Sequence, residues 1–164
     1  MVFEDEGENL TAKVIDFGYS CFGTSRSAMV TVPRTKGWYA PEHQPGKLVK
    51  WADAQKMDLF CFGLLVCRLM LREELISTAV MEGLLLLGED NDSSVNLDSM
   101  VENLKTTGRL LELVVSVLDM SSRISGSEKE CLRKIFLLTL VPDPSLRATG
   151  FSEIISIIDP LFEP

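Results

Sequence analysis

Histidine is almost missing from this 164-residue sequence: His43 stands alone, and no two of the four cysteines (Cys21, Cys61, Cys67, Cys131) form a C-x-x-C pair. A structural zinc site needs four such ligands at short spacings, so none is expected. Basic residues are also in deficit, 16 against 24 acidic, a net charge of −8. A nucleic-acid binder releases counterions through clustered Lys and Arg, so nucleic acid is not an expected partner. No apolar run reaches the roughly twenty residues that cross a bilayer. Met1 is followed almost at once by Glu4, Asp5, Glu6 and Glu8, not by the basic and then apolar stretch of a secretory leader. No membrane partner is expected, and the expected location is the cytoplasm or nucleus, with reduced thiols. Seven prolines and eleven glycines without a repeat period exclude collagen-like, low-complexity and solenoid architectures.

What remains is enough for one globular core, since 46% of the residues are hydrophobic. The charge is uneven. Between residues 26 and 56 six cations (Arg26, Arg34, Lys36, Lys47, Lys50, Lys56) outnumber Glu42 and Asp53, a local balance of +4 that leaves −12 elsewhere. Such a stretch is either a solvated face or a surface that meets acidic groups.

Two apolar-biased runs, residues 1–3 and 10–15, flank a polar stretch and predict a small hairpin. Residues 16–50 show no sustained period and carry repeated Gly and Pro, which predicts a long loop, ordered by its aromatics Phe17, Tyr19, Phe22, Trp38 and Tyr39. Residues 57–71 are apolar all round except Asp58 and Arg68, as expected of a central buried helix. A carboxylate at the mouth of such a helix costs several kcal/mol, of the order of 3, if left dry, so Asp58 needs donors from elsewhere. Helices are further predicted over 75–87, from a Ser99/Glu102 capping box, over 110–118 after a break at Gly108, from a Ser127/Glu130 capping box to the prolines at 142 and 144, and over 152–158. Residues 88–97 read as an acidic surface loop. The expected class is mainly α with a small N-terminal β-hairpin.

Four short motifs then fall in a suggestive order. Asp16-Phe17-Gly18 ends a predicted strand, Ala40-Pro41-Glu42 follows, Asp58 opens the central helix, and Asp143-Pro144-Ser145-Leu146-Arg147 lies near the end. Together they resemble the D-F-G, A-P-E, central-helix and D-P-x-x-R elements of eukaryotic-type serine/threonine protein kinases. The resemblance covers nearly the whole chain, is weakest over residues 73–127, and implies a partial kinase domain over 1–164. Its activation segment would span about 16–42 and its helical C-terminal lobe about 47–159. Thr35, five residues before Ala40, matches the threonine of the substrate-positioning loop. By this resemblance Asp16 would chelate Mg²⁺ on ATP, Phe17 would pack to orient it, and Glu42 would pair with Arg147 in a buried ion pair. Asp58 would accept backbone hydrogen bonds from the catalytic loop. Arg34 departs from the family's usual glycine, and Leu59-Phe60 from its usual branched residue and tryptophan.

The sequence contains no H-R-D-x-x-x-x-N, no phosphate-gripping strand lysine and no glycine-rich loop; Gly18 and Gly23 have P-loop spacing, but Thr24 replaces the lysine. Phosphoryl transfer is mainly positioning and charge neutralisation, so these residues alone are expected to be inactive, and the need for Mg²⁺ and ATP would belong to a complete domain. Two readings follow: a fragment of a serine/threonine kinase that acts on protein substrates, or a noncatalytic, pseudokinase-like helical module that binds a protein partner.

Overall fold

The computed structural model describes residues 2–6, 9–81 and 97–159. Strands β1 (Val2–Glu6) and β2 (Asn9–Lys13) pair antiparallel, with Val2 opposite Lys13 and Glu6 opposite Asn9. The hairpin is as expected, with strands that take in the acidic residues first read as its turn.

Residues 16–50 are not a plain loop. Phe17–Tyr19 form a 3-10 turn, and strand β3 (Met29–Thr31) pairs antiparallel with β4 (Leu48–Lys50), placing Val30 opposite Val49. Val30 is buried and its two strand neighbours are exposed, the alternation of a strand with one covered face.

Strand β4 runs directly into α1 (Trp51–Met70), which begins six residues before the expected start. No side chain caps it. The N–H groups of Trp51 and Ala52 instead donate to the carbonyls of Ala28 (2.7 Å) and Arg26 (3.3 Å), so the segment before β3 satisfies the open helix end. Asp58 therefore lies in the third turn of α1 rather than at its mouth.

Helix α1 stands between two apolar clusters. Met57, Phe60, Leu64 and Cys67, at three- and four-residue steps, join the larger one with residues of α3 (Leu97–Thr106), α4 (Leu110–Met120) and α5 (Gly126–Thr139). Leu59 joins the smaller one with Cys131, Ile135, Ala148 and Ile154, the last from α6 (Phe151–Ile158). Crossing is close where α1 meets α5: a Cβ on Gly63 would come within 2.8 Å of Thr139 Cβ and 2.9 Å of Leu140 Cδ2. Only glycine fits there.

Helix α2 (Arg72–Met81) precedes residues 82–96, so the expected continuation to 87 and most of the acidic loop fall outside the described residues. Helix α3 opens at Leu97, two residues before the expected Ser99 cap. Gly108, at φ +70°, turns the chain into α4, whose Leu110, Leu113, Val114, Val117 and Leu118 form the buried stripe. The capping box of α5 is Ser125 with Glu128, not Ser127 with Glu130: Ser125 Oγ accepts from the Glu128 N–H, and Glu128 accepts from the Ser125 N–H at 2.8 Å. The architecture is mainly helical, with two two-stranded antiparallel sheets among the described residues.

Candidate functional site

Two tight turns bring the middle of the chain against the helices. The N–H of Trp38 donates to the Thr35 carbonyl, with Gly37 in the left-handed region (φ +81°) that the third position of such a turn requires. In the next turn the His43 N–H donates to the Ala40 carbonyl, and Pro41 sits second, where its fixed φ favours the turn. Ala40 is buried, and Glu42 is thereby aimed at the far end of the sequence.

It meets Arg147. A 3-10 turn over Pro144–Leu146, capped by Asp143 accepting from the Ser145 N–H, delivers the guanidinium beneath Glu42. Arg147 Nη1 and Nη2 bind the two Glu42 oxygens at 2.6 and 2.8 Å. The remaining donors go to main-chain carbonyls: Nε to Val141 (2.9 Å), Nη1 to Lys56 (3.1 Å) and Nη2 to Pro142 (2.9 Å). All five N–H groups are matched, and the Phe60 ring packs 4.8 Å from the guanidinium carbon. Arg147 is 3% exposed. Lys56 closes the arrangement by donating to the carbonyls of Arg147 and Ala148.

Asp58 lies nearby in a different state. It borders a cavity of about 330 Å³, lined also by Cys21, Thr35, Trp38, His43 and Cys61, and a shallower groove with Phe62 and Phe151. Contrary to the expected dry carboxylate, Asp58 is exposed at the cavity rim; among the described residues it has no hydrogen-bond or ion-pair partner, and partial desolvation by its apolar surroundings raises its pKa. Burial, reinforced by the Asp58 charge, also raises both flanking thiols, Cys61 to about 11; the Cys61 thiol donates to the Trp38 carbonyl at 3.0 Å. His43 donates from Nε2 to the Val32 carbonyl (2.9 Å), and its buried Nδ1 has no partner.

Asp16 is separate from this group. It has φ +66°, the one non-glycine residue with positive φ among those described, and its carboxylate accepts from the Gly18 N–H at 3.4 Å. A left-handed non-glycine residue stores strain of order 1 kcal/mol or more. Phe17, expected to pack beside it, is 67% exposed, as are Tyr19 and Phe22 to a greater degree. Exposed rings do not order residues 16–22 as the sequence led us to expect. Thr35 is exposed on the rim of the Asp58 cavity.

A Mg²⁺ ion wants about six oxygen ligands. Asp16 supplies one carboxylate, and the described residues hold no group of three His, Cys, Asp or Glu side chains placed to share a metal. One carboxylate is what these residues could offer to a Mg²⁺ ion whose other ligands are phosphate oxygens and waters.

A further network is not signalled by any motif. The Lys105 ammonium, buried, donates to the Tyr39 carbonyl at 3.0 Å and stands 2.8 Å from Glu102, whose carboxylate also accepts from the Tyr39 hydroxyl. Burial alone would raise Glu102, but the Lys105 and Tyr39 contacts outweigh it and the net shift is downward. No family model matches the chain, and no curated protein or solved structure matches it either.

Proposed function

We propose that the chain is the helical lobe of a serine/threonine protein-kinase domain, and that these 164 residues alone transfer no phosphoryl group. The observation that carries this reading is the buried clamp of Arg147, with two donors on the Glu42 carboxylate and three on main-chain carbonyls. It ties the segment after Asp16 to the helices, as an A-P-E glutamate and a late arginine would in that family. The left-handed Asp16 before Phe17-Gly18 adds support, because strained residues cluster at functional positions. The unpartnered Asp58 agrees with a fold in which further main-chain donors approach α1.

In such a domain ATP would bring Mg²⁺ to neutralise the developing charge on the transferred group. This chain offers one carboxylate and neither a catalytic base nor a phosphate-binding lysine. Incubated with MgATP and a generic serine/threonine substrate, it should give no turnover above a blank; turnover abolished by Asp16→Ala would overturn the inactivity. The reading frame upstream of the Met1 codon tests the family. An H-x-D-x-K-x-x-N there, preceded by a strand lysine and G-x-G-x-x-G, is expected, whereas a stop codon or promoter favours the second reading. That second reading, a noncatalytic module that binds a protein partner, is favoured by the exposure of Val14, Ile15, Phe17, Tyr19 and Phe22.

A further inference from the structure

A cavity of about 760 Å³ separates the turn carrying Arg34, Lys36 and Tyr39 from one face of α3, which presents Asp98, Glu102 and Asn103. That volume is within the range of ligand-binding clefts. Its acids are already matched. Arg68 Nη2 stands 2.6 Å from Asp98, and Lys105 and the Tyr39 hydroxyl hold Glu102. The two cations that line it, Lys36 and Arg34, are not. Lys36 is exposed and has no hydrogen-bond or ion-pair partner among the described residues. Arg34 lies 3.9 Å over the Tyr39 ring and donates to the Tyr39 hydroxyl alone, so most of its five N–H donors stay open. Two cations (Arg34, Lys36) and two carboxylates (Asp98, Glu102) line the cavity; Arg68 and Lys105, outside its lining, pair with the two carboxylates, and the six groups together sum to +2 on a protein whose total is −8.

We propose that this cavity binds an anionic side chain of a peptide, carboxylate or phosphate, with Lys36 and Arg34 as its charge partners and the Asn103 amide as a neutral donor. The volume exceeds what one such group fills, and the Tyr39 ring offers apolar surface to the flanking residues of the peptide. Lys47 and Lys50 are exposed cations outside the cavity and serve as the control for attraction by charge alone. The inference needs only the cavity and its charges, not the phosphoryl-transfer reading, and a binding measurement separates the two.

The test is fluorescence anisotropy on the full chain with three labelled peptides of equal length: aspartate-containing, phosphoserine-containing, and neutral with serine and asparagine in those places. The two anionic peptides should bind, the neutral one should not, and affinity should fall as salt rises. Lys36→Gln, which breaks no contact of the fold, should weaken binding about tenfold, the scale of one charge-assisted contact. Lys47→Gln/Lys50→Gln, which removes two exposed charges outside the cavity, should leave it unchanged. Tighter binding of the phosphopeptide identifies phosphate as the source and equal binding shows that carboxylates suffice; either supports the proposal. It is overturned if the neutral peptide binds as well, if neither anionic peptide binds at millimolar concentration, or if the Lys47/Lys50 variant loses as much as Lys36→Gln.

Discussion

At the scale of single residues, Arg147 and Asp58 are opposites. Arg147 is buried with every donor used, so Arg147→Ala strands the Glu42 carboxylate and three carbonyls together. The expected loss, read by urea unfolding, is about 3–5 kcal/mol. Arg147→Lys should recover little of it, because an ammonium lacks the planar fork. Asp58 has no partner among the described residues; it is exposed at the cavity rim, yet the apolar wall beside it raises its pKa, so its charged form weakly favours the unfolded chain. That penalty is present above the unfolded carboxylate pKa, near 4, and disappears as pH falls below it. Asp58→Asn should therefore raise Tm at pH 7, with the gain shrinking to nothing in acid. A lower Tm at pH 7 would mean that the carboxylate is satisfied in solution.

At the scale of elements, the crossing of α1 over α5 depends on Gly63. Gly63→Ala forces a methyl against Thr139 and Leu140, and should destabilise by about 1–3 kcal/mol in the same unfolding assay. Gly126→Ala meets open space in the first turn of α5 and should cost nothing. The elements also show what could be read in the sequence. The buried stripe of α4 and the break at Gly108 were legible because local periodicity and a left-handed turn decide them. The start of α5 was ambiguous because Ser125/Glu128 and Ser127/Glu130 overlap in one stretch, and spacing alone cannot choose between them. The start of α1 was hidden, since its cap is made by the carbonyls of Arg26 and Ala28, far back in the chain. Strands β3 and β4 were missed for a similar reason: each is three residues long, and the segment between them is too long to carry a hairpin signal. In the candidate site, Glu42 and Arg147 could be named as partners from the motifs. Lys56, His43 and Lys105 could not, because each makes a contact with a main-chain carbonyl, which leaves no trace in residue identity.

At the scale of the whole molecule, Val14, Ile15, Phe17, Tyr19 and Phe22 expose 50–84% of their surface within nine residues. Three rings of about 150–250 Å² each approach the limit of what monomeric proteins leave bare. The isolated chain should self-associate with rising concentration in light scattering coupled to size exclusion, and Phe17→Ser/Tyr19→Ser/Phe22→Ser should shift it toward monomer. A monomer at all concentrations, with a sharp reversible melt, would count against this. The four thiols offer a different use of the same molecule. Burial raises all of them, Cys61 to about 11 and Cys67 to about 12, so almost no thiolate exists at neutral pH. Maleimide tagging of Cys61, Cys67 and Cys131 is then slow until their surroundings part, and the order in which these three are labelled under mild denaturant, with partly exposed Cys21 as the reference, becomes a built-in clock. Cys131 times the release of α6, Cys61 the opening beside Trp38, and Cys67 the heart of the core.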